Sequence, residues 1–163
     1  MKKKELESML QKVSPRNRQY VLGILSNWNT VVSEAFKGNS HYWEMHVGKT
    51  TTQMLRRLSE ELKIPATSTF DSLKEAKAYT SETLLQNIAI LSNWVEYSIP
   101  GERCNFFWSF PEVIGCGVFR KDCDEFYGTH KCKVVLERVD SACEFVLITT
   151  MPYMEWDTKV ELW

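Results

Sequence analysis

The 163-residue sequence predicts an α+β fold, with N-terminal helices followed by an antiparallel sheet. Before Pro100-Gly101, apolar residues recur mostly at the helical spacing of three or four. After that break, short runs rich in β-branched and aromatic residues alternate with turn residues. The composition, 44% hydrophobic and 25% charged, is typical of a globular protein, and a chain of this length can bury one sizeable core.

The first two predicted helices occupy the N-terminal segment. One covers residues 4–13 and ends at Ser14-Pro15. Ser14 is then the expected N-cap of the second helix, with Pro15 in its first turn. Helical spacing of apolar residues continues to Ala35, and Gly38-Asn39 supplies a stop.

Two further helices are predicted before residue 100. Thr50-x-x-Gln53 is a capping-box pattern that begins the third, and residues 63–65 end it. Its buried side should carry Met54, Leu55, Leu58 and Leu62. After a polar link, PATSTF, Asp71 is expected to cap a long helix that continues to about Tyr97. Its inner face should carry Leu73, Ala76, Leu84, Ile88, Leu91 and Val95.

The strands are predicted from four runs: NFFWSF, VIGCGVF, CKVVLERV and CEFVLITTM. Asp140-Ser141 lies between the last two, which indicates a hairpin. The sequence shows no internal repeat and no low-complexity linker. These runs complete the helices-then-sheet order of an α+β domain.

The net charge of −1 conceals an asymmetry between the two halves of the chain. Up to Ala66 there are 11 Lys+Arg against 6 Asp+Glu, and from Thr67 onward 9 against 15. A basic half suits an anionic partner, although a solvated surface explains it equally well. No apolar run approaches the roughly 20 residues that span a bilayer. MKKKELESML lacks an apolar core, so no signal peptide is predicted.

The cysteine pattern bears on redox state and metal binding. The five cysteines are Cys104, Cys116, Cys123, Cys132 and Cys143. An odd number without a C-x-x-C motif favours thiols, with disulfides formed outside the cell as the alternative. No Cys/His spacing matches a zinc site, so neither a metal nor another cofactor is predicted.

Residues 40–58, SHYWEMHVGKTTTQMLRRL, concentrate the polar chemistry of the chain. Histidine transfers protons near neutral pH, and lysine or arginine can hold a phosphate. Together they suggest metal-free cleavage of an RNA phosphodiester, in which a base, an acid and a cation are all needed. The candidate groups are His41, His46, Lys49, Arg56 and Arg57.

Spacing alone leaves alternatives to that chemistry. His41 and His46 are five apart, roughly 140° around a helix, so they converge only if the chain bends between them. One structural histidine and one exposed histidine remain an alternative, as does a solvated helix face for Arg56 and Arg57. A P-loop is rejected because the upstream glycine is missing. His130 is predicted on the surface, at a turn.

The run HYWEMHVGKTTTQMLRRL followed by IPATSTF resembles the bacterial RNase A-like toxin domain. That domain occurs at the carboxyl ends of contact-dependent growth-inhibition proteins and other polymorphic toxins. The match covers residues 38–154 in one order, and His46-Val47-Gly48-Lys49-Thr50 is its most specific part. Later segments similar to the family are VIGCGVF and VLITTMP. The expected organisation is a helical extension, residues 1–37, before a toxin domain, residues 38–163.

The resemblance implies an RNase A-like fold and metal-independent RNA cleavage to 2′,3′-cyclic phosphate ends. It assigns proton transfer to His46, phosphate binding to Arg57, and orientation of the phosphate or a bond to it to Thr149. His41 and Lys49 match the motif with less defined roles. The expected partners are an RNA substrate, with tRNA as one candidate, and a cognate immunity protein. The implied site of action is the cytoplasm of a target cell, after delivery from the producing bacterium.

One position departs from the family pattern. Met151 stands where the family has a tyrosine, two residues after Thr149. A thioether donates no hydrogen bond, so that contribution is absent or comes from Tyr153. The departure favours an alternative reading, a catalytically impaired RNA- or protein-binding relative of the same fold.

Overall fold

The computed structural model describes residues 3–36, 41–140, 145–155 and 160–161. The helices are α1 Lys3–Gln11, α2 Arg18–Ser26, α3 Trp28–Phe36, α4 His41–His46, α5 Thr51–Glu60, α6 Leu73–Gln86 and α7 Ile88–Tyr97. The strands are β1 Ala66–Thr69, β2 Arg103–Ser109, β3 Gly115–Phe119, β4 Asp122–Thr129, β5 Lys131–Arg138, β6 Phe145–Pro152 and β7 Val160–Glu161. The predicted α+β class is confirmed: helices dominate the first part of the chain, and antiparallel strands dominate the second.

The described strands form two antiparallel sheets. One has the order β1-β3-β4-β7, and the other has the order β2-β5-β6. The hairpin predicted between the last two long runs is confirmed by the pairing of β5 with β6. Residues 141–144 of its turn lie outside the described residues.

The second predicted helix is in fact two. It begins at Arg18, with Asn17 in the cap position, so Ser14 and Pro15 belong to the preceding turn and not to the helix. Asn27 then separates α2 from α3, and its backbone N–H donates a hydrogen bond to the carbonyl oxygen of Ile24. Apolar spacing alone did not reveal this break, because both helices present apolar residues to the same core.

The long helix predicted to run to Tyr97 is also divided, at Asn87, and its N-cap is Ser72 where Asp71 was expected. The Ser72 side chain accepts a hydrogen bond from the backbone N–H of Glu75. At the break, Nδ2 of Asn87 donates to the carbonyl of Phe107 in β2 at 2.9 Å. The helix is thus interrupted at the residue whose side chain donates a hydrogen bond to a neighbouring strand. The predicted inner face is buried except for Leu73, which is 38% exposed.

Three strands were missed by the sequence prediction: the two-residue β7, and the longer β1 and β4. The polar link contains β1, whose Thr67, Ser68 and Thr69 are all buried. β4 begins with charged, exposed residues and becomes buried only near its end. Neither of these longer strands has the apolar run by which strands were recognised, so period and composition did not mark them.

The N-terminal helices share a core with the later elements. Val21 and Ile24 of α2 belong to the same buried cluster as Leu91 and Val95 of α7. The buried face of α6 packs against the β2-β5-β6 sheet, where the hydroxyls of Thr80 and Thr150 are 2.6 Å apart. The division at residue 37 stays a prediction about domain organisation.

The two sheets approach closely at two glycines of β3. A Cβ added at Gly115 would lie 2.5 Å from both Pro152 Cγ and the carbonyl oxygen of Thr69. A Cβ at Gly117 would lie 3.0 Å from Met154 and closer still to the carbonyl of Thr67. Because these atoms already touch the glycine backbone, no side chain fits between the end of β6 and β1.

Several smaller features complete the description. Leu62, predicted to be buried, is 75% exposed because α5 ends at Glu60, before that residue. The four described cysteines are free thiols, and Cys143 lies outside the described residues. His130 is half-buried in the connection from β4 to β5. In the part of the chain that is described, no helix has the length and apolarity to cross a membrane.

Candidate active site

Helix α5 starts where the sequence predicted, on a complete capping box. The Thr50 side chain accepts a hydrogen bond from the backbone N–H of Gln53, and Oε1 of Gln53 accepts one from the backbone N–H of Thr50 at 2.9 Å. This exchange satisfies two donors that a helix end leaves unpaired. With the start of the helix fixed, Met54 and Leu58 face the interior. Arg57 then lies beside them, at the border with solvent.

The segment before that helix is tied to the end of β1. The backbone N–H of Phe70 donates to the carbonyl oxygen of His46, and the N–H of Gly48 donates to the carbonyl oxygen of Phe70, each at 2.8 Å. Gly48 has φ +60°, a conformation that costs glycine little and other residues more. The backbone N–H of Lys49 then donates to Oγ1 of Thr69 at 2.9 Å. The most specific part of the sequence motif is therefore a rigid connection between α4 and α5.

His46 is buried, with 5% of its surface exposed. Its Nδ1 lies 3.1 Å from the carbonyl oxygen of Ser68 in β1. A carbonyl oxygen only accepts, so Nδ1 carries the hydrogen, and the neutral ring has its lone pair on Nε2. The fold thus sets the tautomer of His46 and makes Nε2 the atom that can take up a proton.

A cleft of about 210 Å³ lies between the end of α4 and the outer face of α5. Three cations predicted for the site line it: Lys49, Arg56 and Arg57. Three carboxylates line it as well: Glu44, Glu60 and Glu61. His46 does not line this cleft, although its neighbour Met45 does. This cation cleft, named for Lys49, Arg56 and Arg57, therefore gathers the phosphate-binding candidates but not the proton-transfer candidate His46.

The two arginines differ in environment. Nε of Arg57 donates to Oε1 of Glu61 at 2.8 Å, and the Arg57 side chain is 20% exposed. Arg56 pairs with Glu60 at 3.3 Å, with its side chain 75% exposed. An exposed pair of this kind contributes little, and the surrounding water screens its charge. Arg57 is held more firmly, and its terminal Nη groups make no hydrogen bond to any residue that the structure describes.

Thr149 lies on the face of β6 that points away from the helical core. It pairs with Val135, while Leu147 pairs with Leu136, so Ile148 is an extra residue that forms a bulge. Thr150, the next residue, points the other way, toward α6. Oγ1 of Thr149 is buried and has no hydrogen-bond partner among the described residues. A buried hydroxyl in that state is uncommon and costs free energy, so it calls for an explanation.

Met151 and Tyr153 continue the same face of the strand. Met151 pairs with Lys133. Tyr153 extends the pairing of β6 with β5, since its backbone N–H donates to the carbonyl oxygen of Lys131 at 2.7 Å. The prediction that Thr149 and Met151 share one side is confirmed by this register. Met151 is half-buried on that open face and does not belong to the core.

Helix α4 relates these parts to one another. It packs along both β1, where Ser68 lies, and β6, where Thr149 lies. His41 is the first residue of α4 and His46 the last, so the chain is helical between them and does not bend. The side chain of His41 lies outside the described part of the structure. Helix α4 thus contacts β1 and β6, while Glu44 and Met45 near its end line the cation cleft.

Sequence reasoning missed three residues of this site. Glu61 could have been found, because acid and base four apart on a helix form pairs. Ser68 could not, since it acts through its backbone carbonyl from 22 residues away. Thr67, which lines the cleft and donates to the carbonyl of Met54 at 3.3 Å, lies in the segment read as a link. Among the described residues, no group of three or more His, Cys, Asp or Glu is placed to hold a metal ion.

The chain resembles known proteins both in sequence and in structure. The family model described as the bacterial CdiA-CT RNAse A domain matches residues 40–152. This chain belongs to that family. A chain in the crystal structure of a CdiA-CT/CdiI complex from Y. kristensenii is similar, with a TM-score of 0.63 and 23% identity. The similarity covers 70% of this chain and 99% of that one. No sequence among curated proteins matches this chain.

Proposed function

We propose that this domain is a ribonuclease toxin that cleaves RNA internally by acid–base chemistry and without a metal ion. The observation that carries the proposal is the fixed ring of His46 in a domain of the RNAse A family. With Nδ1–H held by the Ser68 carbonyl, proton transfer falls to Nε2. A histidine whose tautomer is set in this way suits a general base or acid better than a freely rotating one.

In the proposed reaction a base removes the proton of a ribose 2′-hydroxyl, and the 2′ oxygen forms a bond to phosphorus. The bond from phosphorus to the 5′ oxygen breaks, and an acid gives that oxygen a proton. The products are a 2′,3′-cyclic phosphate and a 5′-hydroxyl. His46 performs one of the two transfers. His41 stays the candidate for the other on the sequence motif alone.

Negative charge that grows on the phosphate needs donors placed in advance. Arg57 suits this task, because it lines the cleft and Glu61 orients its guanidinium through Nε alone. Lys49 adds a second cation from the other wall. Thr149 would donate its hydroxyl, which has no partner among the described residues, to a phosphate oxygen. Arg56 and Tyr153 would contact the substrate further from the reacting atoms.

The mechanism does not require a metal, because imidazole moves the protons and arginine offsets the charge. The test is incubation of the purified protein with total bacterial RNA in EDTA. Discrete fragments with 2′,3′-cyclic phosphate ends are expected, with and without the chelator. Cleavage that stops in EDTA and returns with magnesium would contradict metal independence while leaving the nuclease assignment in place.

A toxin of this kind needs an inhibitor in the cell that makes it. The similar structure from Y. kristensenii is a CdiA-CT/CdiI complex, and we propose that this domain likewise binds a cognate immunity protein. We also propose delivery from a producing bacterium and action on RNA, with tRNA as one candidate, in the cytoplasm of a target cell. Expression of the domain alone should slow growth, and unchanged growth with active protein present would contradict this.

One observation favours a second candidate, an impaired relative that binds RNA or protein without cutting. Met151 occupies the open face of β6 beside Lys133, where a tyrosine hydroxyl would reach solvent or substrate. The RNA incubation also separates the two functions. Binding of RNA without fragments would identify the impaired relative.

A further inference from the structure

The open face of the β2-β5-β6 sheet carries an aromatic–lysine cluster of which the proposed active site uses only Tyr153. The cluster consists of Phe107, Lys131, Lys133 and Tyr153. The rings of Phe107 and Tyr153 meet edge to face, with centroids 5.2 Å apart. Nζ of Lys131 lies 5.1 Å and 5.5 Å from the two centroids, and Nζ of Lys133 lies 5.9 Å and 5.5 Å from them. All four side chains are half-buried.

The strand register accounts for the cluster. Phe107 pairs with Lys133, and Lys133 pairs with Met151, so one row crosses all three strands. Residues two apart share a face, so Lys131 and Tyr153 lie next to that row. These lysines stand out because the second half of the chain is acidic overall. Lys131 is paired with Glu155 at 2.8 Å. Lys133 forms no ion pair with the residues that the structure describes.

We propose that this cluster is a subsite for single-stranded RNA, which binds a base and a phosphate beyond the cleavage point. The proposal rests on the proposed ribonuclease function and names a further contact of the same substrate. Thr149, Met151 and Tyr153 follow one another on one face of β6, so the cluster continues the surface that would hold the scissile phosphate. The distance from Thr149 to Tyr153 along the strand is about 13 Å. This distance exceeds the reach of the two nucleotides that flank the cleaved bond.

Base stacking on an aromatic ring with a nearby cation is how proteins commonly bind single strands. One stacked base typically contributes about 5- to 150-fold in affinity, whereas a lysine over an exposed ring contributes about two- to fivefold. An incoming base can therefore replace a lysine on a ring. The displaced Lys133 ammonium, which has no competing carboxylate partner in the described structure, would then reach the adjoining phosphate.

Binding must be measured apart from cleavage. A 2′-O-methyl RNA hexamer lacks the nucleophilic hydroxyl, so it binds without being cut. Fluorescence anisotropy gives its affinity for the intact protein and for Phe107→Ala and Lys133→Gln. Matched controls are Trp108→Ala, on the opposite side of β2, and Lys121→Gln, an exposed lysine in the β3–β4 turn. A parallel assay measures cleavage of a dinucleotide, which is too short to reach the cluster.

Phe107→Ala should weaken hexamer binding by about 10-fold. Lys133→Gln should lower the salt dependence by about 0.7 in log–log slope. The controls should change affinity by less than about twofold, and dinucleotide cleavage should be unchanged in all four variants. Because Lys133→Gln removes the charge at a half-buried position and keeps a polar side chain, it tests the subsite even if Phe107→Ala fails to fold.

Three results would overturn the subsite. Unchanged hexamer binding in both variants, with active protein, would reject it and leave the ribonuclease function standing. Unchanged binding of RNA with weakened binding of the immunity protein would assign the face to that partner. Intact protein that neither binds nor cleaves RNA would reject the subsite together with the proposed function.

Discussion

Nε of Arg57 donates a hydrogen bond to Oε1 of Glu61 one helical turn later, at 2.8 Å, on the wall of the cation cleft. The pair has two opposed effects. Glu61 orients the guanidinium, and its negative charge repels an incoming phosphate. The glutamate side chain is 42% exposed, so water screens part of that repulsion.

Replacing Glu61 with glutamine should therefore improve substrate binding. Glutamine retains an oxygen that can accept from Arg57 and removes the charge. KM for RNA should fall by about two- to fivefold, the size expected for a partly exposed charge, with little change in kcat. Glu60→Gln is the matched control, because the Arg56 pair is more exposed and should matter less. An increase in KM for Glu61→Gln would mean that orientation outweighs charge.

His46→Ala should abolish cleavage. Loss of a general acid or base costs about 10²–10⁴ in rate. Because His46 is buried and donates to Ser68, alanine also leaves a carbonyl unpaired, with a stability cost of about 1–3 kcal/mol. His46→Gln, which can still donate, separates the two effects. If it melts near the parent temperature yet retains full activity, the assignment of His46 is wrong.

Thr149→Val should reduce cleavage without reducing the stability of the fold. Valine is close in shape, and the hydroxyl it removes has no partner among the described residues, so stability should hold or rise by about 1 kcal/mol. Cleavage should fall by about 10-fold, the worth of one hydrogen bond to phosphate. Thr150→Val is the contrast, since its hydroxyl lies 2.6 Å from that of Thr80. That variant should lose stability and keep its activity per folded molecule. The same pattern in both variants would mean that Thr149 is structural.

Met151→Tyr should raise the cleavage rate by about 10-fold if the new hydroxyl supplies one hydrogen bond to phosphate, worth roughly 1.5 kcal/mol. The open position of Met151 beside Lys133 leaves room for the larger side chain at the surface. Substrate preference should not change. If the rate does not move, Tyr153→Phe tells whether Tyr153 already fills the role, since its activity would then drop.

The thiols should differ in reactivity. Burial raises the pKa of Cys132 to about 11, whereas Cys123 is exposed. At pH 8 the thiolate of Cys132 should be about one in a thousand molecules, so iodoacetamide should modify Cys123 first. The unfolded Cys132 thiol ionises near pH 8.5, so raising the pH from there to 11 should favour unfolding. Peptide mass spectrometry after timed alkylation checks the order, and early modification of Cys132 would contradict its burial.

The sequence predicted what depends on neighbours along the chain. The capping box at Thr50 and Gln53 is confirmed atom by atom because its geometry is local. The breaks at Asn27 and Asn87 were missed, since each depends on how one asparagine satisfies backbone groups at that point. β1 was read as a link because it is polar, yet the buried hydroxyls of Thr67 and Thr69 are satisfied by contacts with α5 and the motif connection.

The candidate site divides in the same way. The motif identified His46, Lys49 and Arg57 by resemblance, and the cleft brings the two cations together. The contact that sets the His46 tautomer joins residues 22 apart, and no spacing rule relates them. The side of the strand that Thr149 faces depends on a bulge at Ile148, which shifts the alternation of the strand by one residue.

The absence of side chains at Gly115 and Gly117 sets how closely the strands of the candidate site approach each other. The Ser68 carbonyl of β1 holds the imidazole of His46, and Thr149 of β6 is the proposed phosphate ligand. Both strands lie against the backbone of β3 at Gly115, where an added Cβ would meet Thr69 of β1 and Pro152 of β6. A single methyl group at either glycine would wedge the sheets apart. The candidate acid–base residue His46 and the candidate phosphate ligand Thr149 would then move away from each other, although neither residue had been altered. The absence of a side chain at these glycines thus limits the distance between the two candidate groups.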